Sequence, residues 1–202
     1  MSKLLFFDLE TTGVKYWRNG IHQISGAVVI DGKVKETFNY HVAPNPQAEI
    51  EQQALDVAKV TEAQIKAYPP MAVVYSQFVA MLGKYVDKYD KTDKFTLVGY
   101  NNAGFDNQML RAWFTQNGDK YFGSWFWSNS LDAMVLASYY LMPQRAGMDN
   151  FKQGTVAKQL GLPVSDTELH DALYDIRVCM GIYQVVTGCS GMVDEELNFI
   201  TE

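Results

Sequence analysis

The sequence predicts an α/β fold, a mixed β-sheet flanked by α-helices, on three observations. Its first part holds three strand-like stretches, two of them joined by a hairpin signal. Beyond them, strand and helix patterns alternate. No repeat, low-complexity tract or linker divides the 202 residues. That length suffices for a sizeable core, and 48% hydrophobic with 20% charged residues is a globular composition, so a single domain over residues 1–202 is expected.

The elements follow in order. Lys3–Leu9 (KLLFFDL) is short, apolar and closed by Thr11-Thr12-Gly13, the pattern of a buried strand. Ile24–Ile30 and Val34–Val42 are strands around Asp31-Gly32, a hairpin turn pair. A helical stretch follows in which Thr61 and Gln64 have capping-box spacing, and Pro69-Pro70 separates it from a longer helix over about Met71–Tyr89. Phe95–Tyr100 (FTLVGY) is a fourth strand that leads directly into a helix over Phe105–Gln116. Further helices are expected over Ser130–Leu141, Thr155–Leu160 and Asp171–Val186. Three antiparallel strands followed by strand–helix alternation argue for the mixed sheet.

Composition bounds the function classes. The longest apolar segment, Met71–Leu82, is too short to span a bilayer and is interrupted by Ser76 and Gln77. Leu4–Phe7 runs straight into Asp8, unlike a secretory leader. Cys179 and Cys189 form no CxxC pair and point to a reducing, cytoplasmic setting. A net charge of −6 lacks the basic balance common among nucleic-acid binders, although an enzyme gripping only a chain end needs few phosphate contacts. Lys84, Lys88, Lys91 and Lys94 form a local basic cluster that reads as a solvated face.

Four acids interrupt apolar patterns. Asp8 and Glu10 end the first strand two residues apart, so both carboxylates point to one face. Like charges at a hydrophobic rim repel and lose hydration unless a cation holds them; the alternative is an exposed strand end. Asp106 precedes Met109 and Leu110 on the inward stripe of its helix, as a ligand or as an N-terminal cap. Asp175 takes a core-facing position one turn before Val178 and Cys179, and Asp171 rivals it four residues earlier. His170 precedes Asp175 by five residues, poor spacing for one helical face, so if the two act together it must sit on the loop entering that helix; the alternative is a structural histidine. Inward carboxylates of this kind suit hard divalent ions such as magnesium, and two ions about 4 Å apart serve phosphoryl displacement. A histidine titrating near neutrality can take a proton from water. The chain has no Cys/His zinc pattern, P-loop, GxGxxG loop or GxSxG elbow.

Three segments resemble a known family. FDLETTG (Phe7–Gly13) is similar to a D-x-E motif, YNNAGFD (Tyr100–Asp106) to an N-x-x-F-D segment, and HDALYD (His170–Asp175) to an H-x-A-x-x-D motif. In that order, and with Ile21–Val28 like the family's second strand, they resemble the histidine-bearing (DEDDh) branch of the DEDD 3′→5′ exonucleases over about Lys3–Thr187. The resemblance implies a ribonuclease-H-like sheet and two Mg2+ or Mn2+ ions. Asp8, Glu10 and Asp175 would hold one ion, with Asp175 preferred to Asp171. Asp8 would reach the second, which Asp106 would bind directly or through water. It further implies His170 as general base, and Thr11, Thr12 and Asn102 as substrate-binding residues near the 3′ end. Many relatives carry histidine where Asn101 stands.

GYNNAGFD and SLDAMVLASYYLMP (Ser130–Pro143) resemble in particular the exonuclease domain of bacterial exonuclease I, which points to the 3′ ends of single-stranded DNA as substrate. RNA is the alternative substrate. A proofreading subunit held by a polymerase, or another replication or repair partner, is a further reading, and an inactive nucleic-acid- or protein-binding module is the reading from another class. Trp125-Phe126-Trp127 could stack bases or pack in the core. Asp132 reads as structural rather than as a ligand.

Overall fold

The computed structural model describes residues 2–165, 167 and 171–200. Strands β1 (Lys3–Thr11), β2 (Ile21–Ile30), β3 (Lys33–His41), β4 (Thr96–Gly99) and β5 (Leu131–Asp132) form one sheet in the order β3-β2-β1-β4-β5. β2 pairs antiparallel with both β1 and β3, whereas β4 runs parallel to β1 and β5 parallel to β4. The expected mixed α/β sheet is therefore present. Its three parallel strands end on one edge, the place where open α/β sheets put their ligands.

The helices among the described residues are α1 (Gln52–Ala58), α2 (Glu62–Lys66), α3 (Met71–Leu82), α4 (Asp106–Gln116), α5 (Phe122–Trp125), α6 (Ala133–Tyr140), α7 (Gln153–Gln159) and α8 (Ala172–Thr187), with a 3-10 turn over Met142–Gly147. The alternation of β1 assigns its residues to two cores. Leu5, Phe7 and Leu9 pack with α3 and α4, where Phe78, Trp113, Phe114 and Phe126 meet edge to face. Leu4 and Phe6 pack on the other face with Ala137 of α6, Val156 of α7 and Val178 and Ile182 of α8. Asp8 and Glu10 continue this second set.

Local signals were realised where they were strong. Asp31 and Gly32 take φ 49° and 80°, the positive values that the expected hairpin turn demands. Thr61 and Gln64 make the reciprocal capping box. Other boundaries moved. The helix expected to reach Tyr89 stops at Leu82 because Gly83 closes it and the chain turns back. There Val86 re-enters the core, and Tyr85 donates to Glu36 at 2.9 Å. The helix expected from Ser130 starts at Ala133, since Leu131 and Asp132 add to the sheet opposite Val98 and Gly99.

Candidate active site at the carboxyl edge

The end of β1 is shaped by a bulge. Glu10 pairs with Gln23 but Thr11 with Ile21, which leaves His22 as the extra residue on β2. Bulges bend a strand and re-aim its side chains, often beside functional sites. His22 is buried, and neither ring nitrogen has a hydrogen-bond partner among the described residues. Burial, with His41 nearby, pushes its pKa down to about 4.

Asp106 reaches the same edge through the β4–α4 turn. Gly99 is required where β4 ends, because a Cβ there would stand 2.7 Å from the Asn102 Cβ and 3.1 Å from the Phe7 carbonyl oxygen. Asn101 takes φ 62°, a left-handed value that Asn tolerates. Asp132 fixes this turn. Its carboxylate accepts from the Asn101 amide at 2.9 Å, the Ala103 amide at 3.4 Å and the Met134 amide at 3.0 Å, tying the turn to the start of α6. The structural reading of Asp132 is thus realised as a bridge between two elements. Asp106 itself is 6% exposed at the first position of α4.

Asp175 lies in the first turn of α8, against β1. Asp171 is the N-cap of that helix, accepting from the Tyr174 amide at 2.9 Å. Asp171 is exposed, whereas Asp175 is half-buried. Gln153 of α7 donates to the Asp175 carbonyl oxygen at 2.6 Å and locks the two helices together at this turn. His170 lies outside the described residues.

The electrostatics bring three elements to one place. Burial pushes the Glu10 carboxyl up to about 8, with Asp8 and then Asp175 adding like-charge repulsion. Burial, then Asp8, also raises Asp106 well above the carboxylate range, with Glu10 adding and the backbone amides of Asp106 and Leu9 opposing. The Cys179 thiol, fully enclosed beneath them, is pushed up by burial and then by Asp8, Asp132, Asp175 and Asp106. Among the described residues no three His, Cys, Asp or Glu side chains form a ready metal cage. The donor chemistry nevertheless fits a hard divalent cation. Its acids are oxygen donors, and burial together with their crowding raises the proton affinity of Glu10 and Asp106, a cost that a cation would offset.

The three residues expected to touch substrate have their side chains engaged within the fold. Thr11 donates to the Gly13 carbonyl at 2.9 Å. Thr12, fully buried, donates to the Glu49 carbonyl at 2.6 Å and accepts from the Gly20 amide at 2.9 Å. Asn102 is also fully buried; its Nδ2 donates to Asn107 Oδ1 at 3.2 Å while its Oδ1 has no partner among the described residues. Of the aromatic run, Trp125 and Phe126 are core and Trp127 is exposed. The basic cluster is partly engaged: Lys84 pairs with Glu36, and Lys94 donates to the Gly123 carbonyl at 2.6 Å. No helix among the described residues is long and apolar enough to cross a membrane.

Sequence reasoning missed the bridging role of Asp132 and the lock from Gln153. Asp132, an acid directly before a helical pattern, carried a capping signal that a helix start placed at Ser130 concealed. Gln153 carried none, because its partner is 22 residues away.

Comparison with known proteins adds to this geometry. The RNase_T family, described as an exonuclease, matches residues 5–183. A DNA polymerase III of the PolC type from Mycoplasmopsis pulmonis is 22% identical over 197 residues, covering 97% of this chain but 12% of that protein. Among solved structures, E. coli exonuclease I in complex with a dT13 oligonucleotide is similar at TM-score 0.73 and 20% identity, covering 93% of this chain and 41% of that one. A zinc-bound form of the E. coli enzyme with single-stranded DNA is similar at TM-score 0.72 and 20% identity, again over 93% and 41%. At that identity the likeness establishes the fold. The chain spans less than half the length of each of these relatives.

Proposed function

Since the chain belongs to the RNase_T exonuclease family, within the DEDD superfamily of ribonuclease-H-like fold, we propose that it is a divalent-metal-dependent 3′→5′ exonuclease acting on single-stranded DNA. The reaction is hydrolysis of the terminal phosphodiester, with release of nucleoside 5′-monophosphates. The observation that carries this reading is the meeting of acids from three elements at the carboxyl edge of the sheet, Asp8 and Glu10 near the end of β1, Asp106 at the first position of α4 and Asp175 in the first turn of α8, where burial and mutual repulsion raise Glu10 and Asp106. Two magnesium or manganese ions would supply charge stabilisation at the attacking and leaving oxygens of the displacement. Asp8, Glu10 and Asp175 would hold one of them; Asp8 would share the other with Asp106, directly or through water. His170 would accept the proton of the attacking water while the 3′ oxygen of the penultimate nucleotide leaves. Thr11 and Thr12, whose side chains brace the loop after β1, would present their backbone to the terminal nucleotide, and Asn102 would shape the floor beside Asp106.

The same reading treats residues 1–202 as one exonuclease domain working in the cytoplasm, which the two unpaired cysteines support. The match to a PolC-type polymerase favours a second reading, a proofreading unit that acts beside a polymerase. Digestion of 5′-labelled single-stranded DNA, resolved on a gel with magnesium or with chelator, tests the proposal. A ladder shortening from the 3′ end only with magnesium is expected. If DNA stays intact while matched RNA is trimmed, the substrate assignment moves to RNA. Loss of neither, with magnesium or manganese, would leave an inactive binding module.

A further inference from the structure

A groove runs between the loop after β1 and the outer face of α4. Tyr16 and Trp17 form one wall, their rings edge to face with centroids 5.0 Å apart, and Gln108, Arg111, Thr115 and Gln116 form the other, around about 410 Å³. Trp17 is 67% exposed, and its one ring contact among the described residues is with Tyr16. Its loop is nonetheless firmly based. The Thr12 amide donates to the Gly20 carbonyl at 2.8 Å, Asn19 Nδ2 to the Glu49 carbonyl at 2.9 Å, and the Lys15 amide to Asn19 Oδ1 at 2.8 Å. An aromatic wall held this way loses little conformational freedom when it binds a flat partner.

The geometry points to this groove as a nucleobase subsite for the single strand, upstream of the scissile phosphate. This inference rests on the exonuclease reading and adds where the strand is gripped. Position supports it. Trp17 lies on the loop that leaves β1 after Thr12, and Arg111 lies on the exposed face of the helix that Asp106 opens, about 7.5 Å further along its axis. Chemistry selects the occupant. The Trp17 indole offers a face to any base, and the amides of Gln108 and Gln116 can meet base edges. The Arg111 guanidinium, 4.3 Å from the Phe122 ring centroid, makes no ion pair among the described residues, which leaves its charge for a phosphate. In a chain of net charge −6, a cation beside an open aromatic wall matches a polyanion with flat bases.

Binding in chelator of a 5′-fluorescein-labelled dT oligomer, followed by anisotropy, tests this. The oligomer is compared with versions bearing one abasic nucleotide at successive positions from the 3′ end. Trp17→Ala should weaken binding about five- to a hundredfold, and Arg111→Ala by a similar factor. One abasic position should cost the wild type a comparable factor and cost Trp17→Ala nothing further, a coupling that general destabilisation does not produce. Tyr89→Ala, an exposed aromatic in the connection before β4, should bind as wild type does. If the wild type binds and degrades the strand while Trp17→Ala and Arg111→Ala bind equally well, the groove assignment is overturned and the exonuclease reading stands. If the wild type neither binds nor degrades dT or matched RNA oligomers, the exonuclease reading fails and the groove assignment falls with it.

Discussion

The two ends of the parallel strands treat their acids in opposite ways. At the amino end, Lys3 pairs with Asp93, which also accepts from the Asp87 amide at 3.0 Å, and Asp90 accepts from the Thr92 amide at 2.8 Å and its hydroxyl at 2.7 Å. The hydrogen bond from Lys3 holds the Asp93 carboxyl below its usual range, and the Thr92 hydroxyl does the same for Asp90. At the carboxyl end, burial and neighbouring carboxylates raise Glu10 and Asp106, and no Lys or Arg among the described residues pairs with either. The first set of acids closes turns and anchors a strand. The second raises the energy of the folded state at neutral pH, a cost that a bound cation would remove.

The largest way to break the contrast is to remove the acid that neighbours both Glu10 and Asp106. Asp8→Ala should lower cleavage by several orders of magnitude, while thermal melting in chelator stays level or rises as repulsion is relieved; retained turnover contradicts the assigned role. His170→Ala should slow single-turnover cleavage about 10²–10⁴-fold, the scale of losing a general base. An unchanged rate would assign proton removal to another group.

A third prediction concerns pH. The folded-state pKa of Glu10, about 8, exceeds its ordinary value of 4.5, so the folded protein binds more protons than the unfolded chain between these limits. Stability from this group is therefore full below about pH 4.5 and lost as pH rises through about 8. In chelator, Glu10→Gln should melt like the wild type near pH 4.5 and be more stable by about 3–5 kcal/mol above pH 8. A gap that does not widen with pH would show Glu10 to be uncrowded. Asp93 has the reverse sign, its contribution present above its ordinary pKa and lost as pH falls through the lowered one. The smallest effect follows: Asp93→Asn should cost about 1 kcal/mol or less by denaturant titration at pH 7, and less in high salt.

How much was legible divides along similar lines. The hairpin at Asp31-Gly32, the capping box at Thr61 and the inward stations of Asp8, Glu10, Asp106 and Asp175 follow from patterns within one or two turns of chain. The resemblance then ordered the acids as a set, and the structure adds that Asp171 caps α8. What escaped depends on distant partners. β5 is two residues long and exists because Gly99 offers Asp132 an edge. Beyond Gly83, which closes α3, the chain is held back by Lys3 and Glu36 from other strands, which capture the Tyr85 carbonyl and hydroxyl. The groove at Trp17 needs a loop and a helix some ninety residues apart to meet, which no local pattern announces.

The account turns on the carboxyl edge being a divalent-ion site, and the most direct test is calorimetric titration of magnesium or manganese into the wild type and Asp8→Ala at neutral pH. A saturable heat in the wild type that is lost in a variant of equal or higher melting temperature is the predicted result. Identical isotherms for the two proteins would contradict it, and the crowded acids would then need another explanation.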